Sequence, residues 1–398
     1  MKYFLGIDIG KHNHVAALMN NQGELIGIPL KFATDIAGWQ QLLSHINKYI
    51  DYRDYPSICA GFEATGHYWL TLYLKLKESG ISISVLNPLE VKAFRNEGIR
   101  GSKTDRIDAI KIARLLRFGD YHEAHIPDQE LIGLRQLSRL RVDLVNMTTK
   151  LKQKVIAVLD TIFPEYESLF TDIFGTTSKM LLSEACTPEA ITAIPAARLA
   201  KLVKQASRGQ YKEEKAQSIK LAASRTMGIT ISIDAFSLSL DILLSQINHL
   251  DKQIDQLDSE IIKKTEKMNT TITTIPGIGL TIAGTVLSEI GDINRFAGKD
   301  GAEKLVALAV LDAKVKESGL SKGKTKMSKR GSGYLRHAVR QAAFVAVTVS
   351  KDPMFTRIYQ KQINKGKHKE VALSHVSRKM IHVIYSLLKN NKSYVPNI

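Results

Sequence analysis

The chain has 398 residues and a mass of 44.3 kDa, too long for one ordinary core, so two or three structural units are expected. Apolar residues at 44% and charged residues at 24% are the proportions of a folded chain and exclude a disordered one. A net charge of +17 and a pI near 9.6 point to a polyanionic partner, either nucleic acid or an anionic membrane surface.

No apolar run reaches the length of a membrane span, which leaves nucleic acid. The opening Met1-Lys2-Tyr3-Phe4-Leu5-Gly6-Ile7-Asp8 breaks its apolar run too early for a signal peptide. Cys59 and Cys186 lie far apart without metal-ligand spacing, which argues against disulfides and zinc and fits a reducing cytoplasm.

In chain order, Tyr3 to Ile9 reads as a buried strand bounded by Gly10. His14 to Met19 and Glu24 to Phe32 flank the turn Asn20-Asn21-Gln22-Gly23, so the first three strands are predicted to form an antiparallel meander. A helix from about Asp35 to Tyr49, a strand from Ser57 to Phe62, a helix from about Tyr68 to Glu78 and a strand from Ile81 to Leu86 follow. Three hairpin strands followed by alternating helix and strand predict an α/β domain over 1–118 with a mixed sheet of ribonuclease H-like order.

Residues 119–269 read as helical. Leu137, Leu140, Leu144, Met147, Leu151, Val155 and Val158 make one stripe, and Leu243, Ile247, Leu250, Ile254, Leu257 and Ile261 make another. Both step by three and four, so the two segments are expected to pair as an antiparallel coiled coil or as ordinary bundle helices. Residues 164–239 contain helical stretches without readable chemistry.

Residues 270–398 read as a mainly α, strongly basic domain. Ile275-Pro276-Gly277-Ile278-Gly279 feeds an apolar helix from Leu280 to Ile290, the helix-hairpin-helix pattern, in which Gly277 and Gly279 would offer backbone N–H groups to a DNA phosphate. The bland reading is a helix cap with proline at the turn.

Four carboxylates stand out. Asp8 ends the first strand and Glu63 the fourth, and neighbouring first and fourth strands would bring them to one end of the sheet. Asp105 and Asp108, three apart in Lys103-Thr104-Asp105-Arg106-Ile107-Asp108-Ala109, share a helix face. Crowded carboxylates require cations, and an oxygen-only set suits Mg²⁺ or Mn²⁺ in phosphodiester cleavage. Gly-Ile-Asp-Ile-Gly around Asp8 also resembles the first phosphate loop of actin-like ATPases and sugar kinases, but no second Asp-x-Gly-Gly loop follows.

These residues resemble the DEDD family of insertion-sequence transposases, the insertion-sequence one-ten family with its eleven-eleven group, related to pilin-gene invertases. The resemblance rests on Gly6-Ile7-Asp8, Glu63-Ala64-Thr65-Gly66-His67-Tyr68, Asn87-Pro88 and Lys103 to Ala109 near the N-terminus. Towards the C-terminus it rests on Ile275 to Gly279, Glu317-Ser318-Gly319, Met327-Ser328-Lys329-Arg330-Gly331 and Leu335-Arg336.

The resemblance implies a RuvC-like domain, a coiled-coil linker and a C-terminal transposase domain. It further implies strand exchange on DNA, in some members guided by a structured RNA. By the same resemblance Asp8, Glu63, Asp105 and Asp108 form the metal-holding quartet and Ser318 is the nucleophile. Lys322-Gly323 replaces the family's usual Arg-Gly, which keeps the charge and loses a bidentate fork.

Chemistry alone does not separate Ser318 from Ser321 and Ser328. Lys322, Lys324, Lys326, Lys329, Arg330 and Arg336 are expected to contact phosphates. Cutting four strands implies a homo-oligomer, a dimer of dimers, in a bacterial-type cytoplasm at the nucleoid. The rival readings are a tyrosine recombinase using His337-x-x-Arg340 with Tyr359 or Tyr385, a RuvC-like structure-selective nuclease, and a non-enzymatic DNA-binding protein.

Overall fold

A computed structural model describes residues 2–63, 68–86, 91, 104–119, 129–312 and 331–396, together with the backbone of 313–314, 317–318, 321–322 and 326–327. The chain divides into two compact units, Met1–Ile126 and Pro127–Ile398.

The first unit is built on a five-stranded sheet. Its strands are β1 (Tyr3–Asp8), β2 (Asn13–Met19), β3 (Leu30–Ala33), β4 (Ile58–Glu63) and β5 (Ser82–Leu86), in the order β3-β2-β1-β4-β5. The β1–β2 and β2–β3 pairs are antiparallel, whereas β1–β4 and β4–β5 are parallel, so the expected meander and mixed sheet are present.

The third strand is shorter than predicted. Residues 24–29 contribute only the bridge Met19↔Leu25. Gly27 adopts φ +72°, with Tyr49 Oη 2.4 Å from the place a Cβ would take, and Pro29 has no N–H to give a ladder.

Helices α1 (Ile36–Asn47) and α2 (Trp69–Glu78) belong to one face, where Leu5, Ile7, Leu42, Ile46, Ile58, Phe62 and Leu76 form the core. Asp35 caps α1 by accepting from the Gly38 N–H at 2.8 Å. The other face carries α3 (Asp105–Phe118), which packs on β1, β2 and β4. This contact has no side chain on the strand side. A Cβ on Gly6 would lie 2.2 Å from the Ala109 carbonyl oxygen and 2.3 Å from the Ala113 nitrogen.

In the second unit α4 (Gln129–Ile162) and α10 (Ile233–Glu266) lie side by side. Arg141 pairs with Asp258, and further along Met147 and Leu151 share a groove with Gln246 and Leu250. The partner's number falls as α4 rises, so the pair is antiparallel. Between these helices come α5 (Tyr166–Leu169), α6 (Thr176–Glu184), α7 (Pro188–Ala193), α8 (Ala196–Ala206) and α9 (Glu213–Ser224). They close a core with Val155, Leu159, Leu240, Leu244 and Ile247, so the segment without readable chemistry is a packed helical cap.

The predicted stripe on α10 holds, with Ile247 and Ile261 fully buried. On α4 it holds from Leu151 through Val155 to Val158, which pack in the core of the cap, and is displaced before that. The buried positions are Leu134, Ser138, Val142, Thr148, Val155, Leu159 and Ile162, whereas Leu140 and Met147 are 43% and 52% exposed. The cause is a third helix, α11 (Leu280–Ile290), whose Gly284 lies against Thr265, Ile261 and Leu134. Small and polar residues line that crossing, and a search for apolar letters passes over them.

The C-terminal core gathers α11, α12 (Gly301–Leu308), α13 (Gly333–Thr348), α14 (Pro353–Ile363) and α15 (Lys369–Asn390) around Val286, Ile290, Leu335, Val339, Phe355 and Ile381. Between α12 and α13 run four two-residue strands. Ala313–Lys314 (β6) pairs with Lys326–Met327 (β9), and Glu317–Ser318 (β7) pairs with Ser321–Lys322 (β8).

The glycine contacts give a graded test. Gly6→Ala forces backbone against backbone and should destabilise the chain by about 1–3 kcal/mol. Gly61→Ala meets only the methyl end of Leu116 and should cost less. Urea unfolding of the two variants, compared with the parent, checks the order.

Candidate active site

Strand side chains alternate, so Phe4, Gly6 and Asp8 share one face of β1. Phe4 packs with Ile112, Leu115 and Leu116, and Gly6 lies against Ala109 and Ala113. Stepping from Phe4 to Asp8 along β1 therefore moves towards the N-terminus of α3, where Asp105 and Asp108 occupy the first turn. Glu63 obeys the same alternation, because Cys59 lies in the core beneath α3 and Gly61 faces Leu116.

The parallel register ends at Ile7↔Phe62, which makes Asp8 and Glu63 the next pair, about 4.8 Å apart across the ladder. The backbone thus brings all four predicted carboxylates to the carboxyl ends of two parallel strands, below one helix N-terminus. Thr104 caps that helix by accepting from the Ile107 N–H at 3.3 Å. Asp108 is buried and Asp105 exposed, and the helix dipole favours a negative charge at both positions.

The donor set is all carboxylate, the chemistry that Mg²⁺ or Mn²⁺ prefers. Among the described residues, no three His, Cys, Asp or Glu side chains are gathered closely enough to hold an ion. The residues fit such a metal by donor type and backbone placement, without a closed ligand cage.

The sequence reading missed His14, on the opposite face of the sheet from α3. Its Nδ1 accepts the Gly10 N–H at 3.3 Å and its ring meets Phe32 edge-on at 5.3 Å. Burial pushes its pKa below the ordinary histidine value. A neutral imidazole therefore pins the turn that immediately follows Asp8. The available signal was a histidine inside an otherwise apolar strand.

Ser318 lies in a segment paired through its backbone. The β6–β9 and β7–β8 ladders are nested, and Ser318 pairs with Ser321 while Glu317 pairs with Lys322. Ser321 stands directly opposite Ser318, so backbone position does not separate the two candidates. Lys322 and Lys326 are on these strands, whereas Lys324, Ser328, Lys329 and Arg330 lie outside the described residues, as do His67 and Asn87-Pro88.

The base of this hairpin is firmly held. Gly331 has φ +132° and a Cβ there would meet the Leu308 carbonyl oxygen at 2.3 Å. The Ser332 N–H donates to that same oxygen at 2.7 Å. Ser332 Oγ caps α13 by accepting from the Leu335 N–H at 3.0 Å and donates to Glu289 Oε2 at 2.8 Å.

Glu289 is buried in α11 and receives both forks of Arg139 from α4, at 2.6 and 2.9 Å. Arg139 in turn lies 5.0 Å over the Tyr334 ring, and Tyr334 Oη donates to Asp143 at 3.1 Å. Burial pushes the Glu289 carboxyl up, but the hydrogen bonds and charge of Arg139, with Ser332 and Arg135, outweigh it and hold the pKa below the usual range.

Two profiles of known families match the chain. A DEDD-type IS110 profile described as a transposase matches residues 5–164, and a profile described as the IS116/IS110/IS902 transposase family matches residues 269–360. The two span both the carboxylate edge and the serine hairpin. The chain belongs to the IS110 family of transposases.

It is 24% identical to a mini-circle candidate transposase for IS117 of Streptomyces coelicolor over 73% of this chain and 71% of that protein. It is 24% identical to the 44.8 kDa protein of insertion element IS116 of Streptomyces clavuligerus, over 99% of this chain and 96% of that one. A pilin gene-inverting protein of Moraxella bovis is 28% identical over 34% of this chain and 42% of its own length.

An IS110-family chain is a DNA transposase or recombinase, and the remaining site candidates are placed within that setting. Tyr385 Oη is committed as a donor to the Phe296 carbonyl at 3.0 Å, and Tyr359 packs against the C-terminal core. Both placements disfavour the tyrosine-recombinase reading. Gly277, at φ +90°, sits where a Cβ would lie 2.3 Å from the Ala342 carbonyl oxygen, so its conformation serves the packing of α13. Gly279 is exposed at the start of α11 with open space around it. Arg336 is half-buried on α13.

The Glu289 pair sets a pH dependence. A carboxyl whose folded pKa is depressed contributes stability above its unfolded value and loses it as pH falls through the folded one. Glu289→Gln should therefore lower stability at neutral pH by about 3 kcal/mol, the lower end for breaking a buried pair, since the Arg139 head is partly exposed. The gap to the parent should narrow as pH falls below about 4.3, the ordinary glutamate value. Urea midpoints of both proteins between pH 7 and 3 check this.

Proposed function

We propose that this transposase cuts and rejoins DNA through a phosphoserine intermediate on Ser318, with Asp8, Glu63, Asp105 and Asp108 holding Mg²⁺ or Mn²⁺. The observation that carries the reading is the register pair Asp8 and Glu63 beneath the first turn of α3. The β3-β2-β1-β4-β5 order of the mixed sheet supports a RuvC-like, ribonuclease H-like fold for this unit. The turn from Pro276 to Gly279 supports a helix-hairpin-helix contact to phosphate, with Gly279 as its open position.

The chemistry balances without an external energy source. The Ser318 hydroxyl oxygen attacks phosphorus and passes its proton to a base, and the bond to one sugar oxygen breaks, so that this oxygen leaves as a hydroxyl once protonated. A second strand's hydroxyl then attacks the serine ester, the serine takes back a proton, and the backbone is restored. When bound, the metal lowers the cost of the charge that develops at phosphorus. Lys322, Lys324, Lys326, Lys329, Arg330 and Arg336 hold the strand by its phosphates, which contribute affinity without sequence choice. Target choice is assigned to a structured guide RNA, and four strand cuts to a tetramer.

Removing either half of this arrangement should give a different outcome. Asp8→Asn and Asp105→Asn should abolish strand exchange in Mg²⁺ buffer, as chelation should in the parent, while circular dichroism shows a folded chain. Ser318→Ala should leave DNA affinity nearly unchanged and eliminate both recombination and the covalent protein–DNA adduct trapped on a nicked substrate. Peptide mapping should place that adduct on Glu317-Ser318-Gly319. Adduct on Ser321 moves the nucleophile to the residue paired opposite Ser318, and undiminished metal-dependent cleavage by Ser318→Ala leaves a hydrolytic nuclease.

A further inference from the structure

The His337-x-x-Arg340 spacing, unused by the proposed chemistry, lies on one wall of a cavity of about 470 Å³ formed by α4, α13 and α15. Leu311 and Gly333 also line it, and these are the points where the chain enters and leaves the Ser318 hairpin.

The charge of the cavity is unbalanced. Its lining carries the cations Arg336 and Arg340 against the single carboxylate Asp143, which keeps its charge while accepting from the Tyr334 hydroxyl, and Arg340 is shared with Glu370 through bonds of 2.9 and 2.6 Å. Arg336 has no carboxylate partner among the described residues. Burial, followed by the charges of Arg340, Arg141 and Arg336, lowers the pKa of His337, so the imidazole sits in a positive field.

A second observation is independent of charge. Ser377 is 1% exposed, lines the same cavity, and its Oγ has no hydrogen-bond partner among the described residues. An orphaned buried hydroxyl is unfavourable in the free protein, and a rotation of the Ser377 side chain about its Cα–Cβ bond towards the cavity would let a bound oxygen acceptor satisfy it. A guanidinium without a carboxylate, a second guanidinium beside it and an orphan hydroxyl together fit a tetrahedral oxyanion.

We propose that this cavity is a DNA backbone subsite in which Arg336 and Arg340 hold one phosphodiester and Ser377 donates to its oxygen, fixing the strand at the foot of the Ser318 hairpin. The inference rests on the transposase reading and adds to it the place where the strand is gripped. It assigns the His-x-x-Arg pair to phosphate binding, not to tyrosine chemistry.

The test uses the full chain and a fluorescent DNA duplex, with an RNA duplex of the same sequence alongside, in a salt series read by anisotropy. Arg336→Gln should reduce the slope of log affinity against log salt by about 0.9, the loss of one phosphate contact. Arg336→Lys should keep the slope, which guards against a folding defect in the glutamine variant. Ser377→Ala should weaken DNA binding about five-fold, the worth of one net hydrogen bond, without lowering the melting temperature, because the hydroxyl has no partner to lose.

If the parent binds DNA and these variants leave slope and affinity unchanged, the subsite is overturned and the transposase reading stands. A loss confined to the RNA probe overturns it equally, as does a Ser377→Ala variant that loses stability and keeps affinity. A parent chain without DNA affinity overturns the proposed strand chemistry and this inference with it, while the family assignment stands.

Discussion

The architecture of the carboxylate edge depends on one close contact, the approach of the α3 backbone to β1 at Gly6. With a Cβ position 2.2 Å from a helix carbonyl, helix and strand touch main chain to main chain. Side-chain layers between elements can shift by rotamer changes, but a backbone contact has no such slack. The first turn of α3 is therefore placed over the ends of β1 and β4 with little tolerance, and with it Asp105 and Asp108. The dipole of the same helix favours negative charge in that first turn, where Asp105 and Asp108 sit.

The second unit solves a different problem. Two long helices carry a core at each end, one closed by α5 to α9 and the other by α11 to α15. Near the second core a buried carboxylate, Glu289, collects Arg139 from α4 and Ser332 from the start of α13. Removing charges from water is expensive, and the cost is offset here because the carboxylate oxygens are met by the guanidinium fork and a hydroxyl. The network adds directional polar bonds to three elements that also pack together through apolar contacts.

Much of the first unit was legible. Alternating apolar residues gave the strands, and the positions of Asp8 and Glu63 at strand ends already implied convergence once β1 and β4 were neighbours. Asp105 and Asp108 were legible from a spacing of three. The third strand was misjudged because Gly27 and Pro29 interrupt a run whose letters still read as extended.

In the second unit the α10 stripe was read correctly. The α4 stripe was read correctly only from Leu151 to Val158; before that the buried positions include Ser138 and Thr148, polar letters that an apolar pattern does not mark. Thr148 bonds the Leu144 carbonyl at 3.0 Å, which makes its burial tolerable. Ladders of two residues are too short for any periodicity, so the pairing around Ser318 left no trace in the sequence. Glu289 was equally hidden, since one acid in an apolar helix does not announce a partner 150 residues away.

The anchoring of the serine hairpin has a consequence for chain length. The Leu308 carbonyl receives the Ser332 N–H and is pressed by Gly331, so the segment between starts and finishes at one point. Closing such a segment costs entropy that grows only with the logarithm of its length, about 0.6 kcal/mol for each doubling. The protein core is therefore nearly indifferent to how long the segment is. The length and shape of the segment carrying Ser318 can therefore change without re-engineering the helices beneath it, so that whatever this segment touches can diverge while the scaffold stays fixed.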